Sequence, residues 1–320
     1  MNEVQLIDKY LKRLTKKNSS SQGLNDDIFF DKSKKLAISI DTYVEKVHFP
    51  NLKSPDLVIK KVLRSSLSDL ICKGVKPKYY FLSASGNSKS FSKKNLKKIS
   101  NSLSSEQKRF DIELSGGDTV NSSINSFTCC VVGFSNNIVK RHNSKIGDDI
   151  YITGYLGDSY LGLQILRKKI SLSNNLRKYF ISKYYMPSIN LKMIDFLHKF
   201  ANTSIDISDG LLIDLDKMTK QQKYGFLIRL DDIKISNQLK NFLSKNKRFK
   251  IENTIFNGDD YEIIFTSHKK NRSLINKYAK NENLKIQRIG EILKKHQDSC
   301  ILKGNQKFKI NKNLGYTHQF

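Results

Sequence analysis

Acidic residues and cysteines are both scarce in this chain. Only 30 Asp and Glu stand against 57 Lys and Arg in 320 residues, a net charge of +27. Four cysteines make no disulfide framework. Two of them, Cys129 and Cys130, are adjacent inside the apolar run Phe127 to Phe134, where a strand would point them to opposite faces, so they read as reduced core thiols. The six histidines form no H-x-x-x-H pattern and no C-x-x-C occurs, so a zinc centre has little support. No stretch approaches the roughly 18 uninterrupted apolar residues of a membrane span. Met1-Asn2-Glu3-Val4-Gln5 carries an early acid and no apolar core, and Val4, Ile7, Leu11 and Leu14 fall at helical spacing. A cleaved signal peptide is therefore not expected, and the expected location is the cytoplasm. No G-x-x-x-x-G-K-[ST] phosphate loop is present either.

The positive excess raises the question of nucleic acid, since counterion release alone gives basic proteins affinity for phosphate backbones. It is mostly Lys, spread in stretches such as Lys93-Lys94-Asn95-Leu96-Lys97-Lys98, where helical spacing gives a solvated face. With no RNP motif, helix-turn-helix signature or basic-aromatic interleaving, a basic binding protein is the minor alternative.

Against this background nine of the acids fall in five short signatures: Asn25-Asp26-Asp27, Ser39-Ile40-Asp41, Ser115-Gly116-Gly117-Asp118-Thr119, Asp206-Ile207-Ser208-Asp209-Gly210 and Asn257-Gly258-Asp259-Asp260-Tyr261-Glu262. Hard carboxylate oxygens presented from loops suit Mg²⁺, and Mg²⁺ held this way commonly serves a nucleotide phosphate. Singly, each signature is as readily an ordinary turn or helix cap. Asp69 lies off the apolar stripe of its helix, where solvated acids are normal.

Strands and helices alternate along the chain. Leu36 to Ile40 reads as a strand ending at Asp41. Ser54-Pro55-Asp56 starts a helix, with Ser as N-cap and Pro at the first helical position, and Ile59, Leu63, Leu67, Leu70 and Ile71 form its apolar stripe before Gly74 and Pro77 close it. A strand from Tyr79 to Ala84, a helix from Phe91 to Phe110 and strands at Ile112 to Leu114 and Phe127 to Phe134 follow, the last two separated by a Gly-Gly-Asp-Thr turn. After a polar break near Ser135 to Gly147 a second α/β pattern begins with strand Ile150 to Thr153. It continues with helices around Leu161 to Lys168, Asn175 to Tyr184 and Leu191 to Phe200, strand Ser204 to Ile207, a helix carrying Leu211 to Met218, and strands Tyr261 to Phe265 and Ile286 to Ile289. The expected division is 1–145 and 146–320, mixed α/β in both halves, with a cleft between them collecting all five acidic signatures.

The series as a whole resembles the motifs of thiamine-monophosphate kinase. Asn25-Asp26-Asp27, Ser39-Ile40-Asp41-Thr42, His48-Phe49, Leu67-Ser68-Asp69-Leu70, Ser115 to Thr119, Gly154-Tyr155-Leu156-Gly157-Asp158-Ser159, Ile205 to Leu211, Gly258 to Glu262 and Leu314-Gly315-Tyr316-Thr317-His318 occur in that family's order and spacing. The resemblance implies the two-domain fold of aminoimidazole ribonucleotide synthetase, with the N-terminal domain forming a homodimer and the C-terminal domain over the active-site cleft. It implies ATP- and Mg²⁺-dependent phosphorylation of thiamine monophosphate by direct transfer, with several Mg²⁺ ions and no covalent nucleophile. Carried over by position, Asp27, Ser39, Asp41, Asp69, Asp118, Asp206 and Asp209 would hold metal. Gly117, Asp118, Arg141 and Ser208 would contact ATP, and His48, Asp259 and Tyr316 would contact thiamine monophosphate.

The sequence departs from the family pattern in places. Asn25 replaces the usual Gly, Ile40 replaces a hydroxyl residue that can help bind metal, and Asp259 is one methylene shorter than the usual Glu. Met186-Pro187-Ser188-Ile189-Asn190 lacks both arginines of an expected Arg-Pro-x-Pro-Arg segment. A sister ATP-dependent synthetase acting on an amide or a selenide would share fold and metal-ATP site. The selenide branch calls for a reactive Cys near the N-terminus, and none precedes Cys72.

Overall fold

The computed structural model describes residues 1–310 and 315–320. Leu314 of the tail motif lies outside the described residues. The first half contains α1 (Glu3–Leu6), β1 (Phe29–Asp31), β2 (Leu36–Val44), α2 (Pro55–Cys72), β3 (Lys76–Gly86), α3 (Lys93–Phe110), β4 (Glu113–Asn121) and β5 (Ser126–Phe134). The second contains β6 (Asp149–Thr153), α4 (Asp158–Leu166), α5 (Asn174–Tyr185), α6 (Met193–Phe200), β7 (Thr203–Asp206), α7 (Leu211–Lys220), β8 (Tyr224–Arg229), α8 (Asn237–Lys245), α9 (Glu252–Ile255), β9 (Ile263–Ser267), α10 (Arg272–Asn281), β10 (Ile286–Lys295), β11 (Cys300–Lys303) and β12 (Gln306–Lys309). The strands form a five-stranded sheet in the order β1-β2-β5-β3-β4 and a seven-stranded sheet in the order β12-β11-β8-β10-β6-β9-β7. Among the described strands only β3·β4 and β11·β8 pair in parallel.

Helix α2 links the two halves. Pro55 sits in its first turn, although the Ser54 side chain makes no capping bond. Val58, Ile59, Val62, Leu63, Leu67, Leu70 and Ile71 are buried, and so are Lys61, Arg64, Ser65, Ser66 and Ser68 on other faces. The helix is enclosed nearly all round, packing on β2, β3 and β5 and also on α5, α6 and β7. One apolar cluster consequently runs across both halves, from Ala37 and Val58 to Phe196 and Phe265. The enclosure explains why Asp69 is not the solvated acid its wheel position suggests: its carboxylate turns inward and accepts from Ser39 Oγ. Gly74 closes the helix at φ +75, and a Cβ there would lie 2.7 Å from His198 Nε2.

Three expectations need correction. Gly116 to Thr119 is not a turn but the interior of β4, whose nine residues are all exposed. Two glycines permit this, because a Cβ on Gly117 would fall 2.0 Å from Leu82 O of the adjoining strand. The N-terminal stripe is helical but not a regular α-helix: α1 passes into a π-helical turn over Ile7–Leu11 and a 3-10 turn over Lys12–Thr15, and Val4, Leu11 and Leu14 are exposed. The strand expected from Tyr261 begins at Ile263, because Tyr261 adopts φ +52, outside strand geometry.

Candidate active site

The loops after β7 and before β9 are locked together. Asp259 N donates to Ser208 O at 2.8 Å and Tyr261 N to Ile207 O at 2.9 Å, while Ile207 N donates to Glu262 O at 2.7 Å. Gly258 makes the approach possible, since a Cβ there would stand 1.9 Å from Ser208 O. The C-terminal tail joins them through Tyr316 N, which donates to Asp209 O at 3.1 Å. Asp259 and Tyr261 both have positive φ, 71 and 52. Held by these bonds, such conformations are the kind of local strain that clusters at functional sites.

Facing these loops are β2 and α2, and together they gather carboxylates. Asp41 points from β2 to the same side as buried Ala37, Ser39 and Tyr43, and Tyr43 OH donates to it at 3.3 Å. Burial, reinforced by the charges of Asp27 and Asp209, pushes the Asp41 carboxyl up to about 6. Burial and the neighbouring charges of Asp41, Asp206 and Asp27 hold Asp69 well above the carboxylate range. Burial, with Asp27 and Asp214 nearby, raises Asp206 to about 8. Asp206 Oδ2 is buried with no partner. These three acids destabilise one another's charge, and no Lys or Arg bridges to them among the described residues. Asp209 differs, sharing Lys217 with buried Asp214 at 2.5 and 2.8 Å.

Asp26 and Asp27 form the neighbouring, compensated group. Lys73 Nζ lies 2.9 Å from Asp26 Oδ1 and 2.6 Å from Asp27 Oδ2. The Arg141 guanidinium pairs with Asp27, and Arg141 N donates to Asp26 Oδ2 at 2.9 Å. Burial raises the Asp27 carboxyl, but Arg141 and Lys73 outweigh it and hold the group well below the usual range.

A second, aromatic region adjoins the loops. His48 accepts from Val44 N through Nδ1 at 3.0 Å, and its carbonyl accepts from Tyr184 OH at 2.7 Å. Its ring lies 5.3 Å from that of His318, which in turn is 4.9 Å from the half-exposed Tyr316 ring. Burial and the nearby His318 hold the His48 imidazole below its usual value. Asp259 receives Lys61 Nζ at 2.6 Å. That ammonium also sits over the rings of Tyr184 and Tyr261, at 4.0 and 5.2 Å. Lys61, 1% exposed, is, like Lys73, a residue that sequence reasoning missed. The available signal was a lysine between Val58 and Val62 on a helix enclosed on most of its surface. Asp260, beside Asp259, turns away and accepts from Gly157 N at 3.0 Å.

Gly117 and Asp118 do not join this gathering. Asp118 pairs with Ser83, and Ser83 with Thr128, whose hydroxyl meets Thr42 on the sheet face opposite Asp41. Three strand spacings, about 14 Å, separate this edge from β2. Four of the five acidic signatures therefore converge within one chain, and the fifth stands apart.

Among the described residues no three carboxylate, imidazole or thiolate groups form a ready-made metal cage. The donor chemistry around Asp41, Asp69 and Asp206 nevertheless fits a hard divalent cation: all oxygens, mutually repelling, one of them without a partner.

Residues 25–135 match the family described as "AIR synthase related protein, N-terminal domain". The chain is 37% identical to the thiamine-monophosphate kinase of Buchnera aphidicola subsp. Acyrthosiphon pisum, across 99% of this chain and 98% of that protein. The enzyme of the same name from Escherichia coli K12 is 29% identical, with 99% and 98% covered. A solved structure described as "AaThiL complexed with AMPPCP and TMP" superposes with a TM-score of 0.85 at 25% identity, covering 99% of this chain and 97% of that one. The E. coli hydrogenase maturation protein HypE shares the fold, with a TM-score of 0.70 at 16% identity over 86% and 85% of the two chains.

Proposed function

This chain belongs to the thiamine-monophosphate kinase family, and from that premise we infer that it transfers the γ-phosphoryl group of ATP to the phosphate of thiamine monophosphate, giving thiamine diphosphate and ADP. The observation that carries the reading is kinship over the full length, at 37% identity. A neighbour of the same fold whose complex contains AMPPCP and TMP supports both substrates. Two sister phosphates are joined in such a reaction without a covalent nucleophile, so the protein's task is positioning and charge neutralisation.

The residues divide accordingly. Asp41, Asp69 and Asp206 have no compensating cation and are the groups we propose for Mg²⁺, with Ser39 beside them and Asp209 sharing its charge with Lys217. Mg²⁺ bound there would neutralise and bridge phosphate oxygens. Ser208 and Arg141 border these acids and are assigned to the nucleotide. His48, Asp259 and Tyr316 are assigned to the acceptor, whose cationic heterocycle would stack on the Tyr316 ring.

Gly117 and Asp118 enter the proposal through a homodimer. Ile40, Phe81, Leu114, Val120 and Phe134 are exposed apolar residues of the five-stranded sheet, and such a face suits a second copy. Pairing there would bring β4 to a shared site. The halves 1–145 and 146–320 remain our proposed domains. Among the described residues no helix is long and apolar enough to cross a membrane, and we assign the reaction to the cytoplasm.

The test is incubation with ATP and thiamine monophosphate, with and without Mg²⁺, followed by separation of the products. Equal yields of ADP and thiamine diphosphate, only with the divalent ion, are expected. ATP turnover without thiamine diphosphate would instead favour a sister synthetase.

A further inference from the structure

The carboxylates carried over as metal ligands are not equivalent in this chain, and the difference lies in Lys73. Its ammonium is fully buried at the C-terminal end of α2 and has three oxygen neighbours: Asp26 Oδ1 at 2.9 Å, Asp27 Oδ2 at 2.6 Å and Ser204 O at 2.6 Å. Three oxygens thus stand within 3 Å of the ammonium, one hydrogen-bonded carbonyl and two ion-paired carboxylates. The remaining carboxylate oxygens are taken as well. Asp26 Oδ2 accepts from Arg141 N at 2.9 Å, and Asp27 Oδ1 pairs with the Arg141 guanidinium. Two carboxylates and two cations sum to zero charge. Side-chain exposure is 0% for Lys73, 3% for Asp26 and 12% for Asp27.

A divalent ion at Asp27 would stand beside two cations already paired with that carboxylate, unless it expelled one of them. Lys73 has nowhere to go, because its stem is enclosed and its third bond ties it to β7. Expulsion would strand a buried, unpaired ammonium, which is strongly unfavourable. Asp41, Asp69 and Asp206 have the opposite character: among the described residues no Lys or Arg pairs with any of them, whereas Asp26 and Asp27 share two. We propose that Lys73 is an internal counter-ion that takes the place of a divalent metal at Asp26 and Asp27. Asp27 is then a structural anchor tying the loop before β1 to α2 and to Arg141, and divalent ions collect on the Asp41, Asp69 and Asp206 side alone.

The inference rests on the proposed metal-dependent site, and its test separates the two. Mn²⁺ binding is counted by calorimetry and by electron paramagnetic resonance, with AMPPCP present, for the full-length protein and for Asp27→Asn, Asp69→Asn and Lys73→Met. Thermal unfolding and circular dichroism verify that each variant is folded. The expected result is an unchanged Mn²⁺ count in Asp27→Asn, a loss of at least one ion in Asp69→Asn, and a gain of one in Lys73→Met that disappears again in Lys73→Met/Asp27→Asn. Loss of an ion in folded Asp27→Asn would overturn the inference whether or not Lys73→Met folds. A full-length protein that binds no Mn²⁺ at all would overturn the metal-dependent reading itself, and this inference with it.

Discussion

Replacing Lys61 by Met removes one charge from the acceptor side while keeping the length of the stem against Tyr184. The ammonium lies 2.6 Å from Asp259 Oδ1, with side-chain exposures of 2% and 26%. At an effective dielectric constant of about 20 the Coulomb term alone is about 6 kcal/mol, an upper bound because desolvation opposes it. Removing one partner of a fully buried pair typically costs about 3–5 kcal/mol. Asp259 keeps water access and a 3.3 Å contact with Tyr261 OH, so about 2 kcal/mol is expected for Lys61→Met. In the cycle with Asp259→Asn, the two losses should fall short of additivity by at least about 1 kcal/mol. The assays are denaturant unfolding of the two single variants and the double variant, and steady-state kinetics with each substrate varied in turn. Because Lys61 fixes the Asp259 carboxylate, the KM for thiamine monophosphate should rise and that for ATP should stay within about twofold. Additive stability losses within about 0.3 kcal/mol, or equal weakening of both substrates, would refute the claim that Lys61 acts through Asp259.

Asp41→Asn and Asp69→Asn should each reduce kcat by more than about 100-fold in folded protein, since losing charge stabilisation of several kcal/mol multiplies out to that size; near-normal turnover with unchanged Mg²⁺ dependence would remove them from the site. Tyr316→Ala should raise the KM for thiamine monophosphate by about 2- to 30-fold, equivalent to about 0.5–2 kcal/mol of stacking, and leave that for ATP nearly constant; an unaffected acceptor KM would end that assignment. Burial pushes the Glu262 carboxyl up to about 7 from an ordinary value of 4.5. Its protonated form is favoured in the folded state, so between those values folding takes up a proton and stability falls as pH rises. Stability relative to Glu262→Gln should therefore decline from pH 5 to pH 8 by up to about 3 kcal/mol, and a flat difference in chemical denaturation would contradict it.

Much of this arrangement is legible in the sequence, and what is not has physical causes. The apolar stripe of α2, its Pro55 start and its Gly74 stop follow from local rules, and so do the alternating faces of β5 that separate buried Cys129 from Cys130. The side chains that neutralise the acids were invisible for the opposite reason. Lys61 and Lys73 find their partners 198 and 47 residues away or nearby only in space, so no window of sequence places them together. Here 47 is the separation between Asp26 and Lys73. Asp69 departs from helical-wheel reasoning because that assumes one solvated face, and from Lys61 to Cys72 α2 has almost none. The Gly-Gly-Asp-Thr segment looked like a turn because glycine pairs usually are. Its role as a strand follows from how closely Gly117 approaches Leu82 O, a tertiary fact. The division of the acids into a compensated group at Asp26 and Asp27 and an uncompensated group at Asp41, Asp69 and Asp206 depends entirely on such long-range neighbours.

The most direct test of the central claim is a single-turnover experiment with γ-labelled ATP, thiamine monophosphate, Mg²⁺ and enzyme in excess, quenched over time. Direct transfer predicts that label leaves ATP and arrives in thiamine diphosphate at the same rate, with none retained on the protein. Label accumulating on the protein before product, or released only as inorganic phosphate, would contradict it.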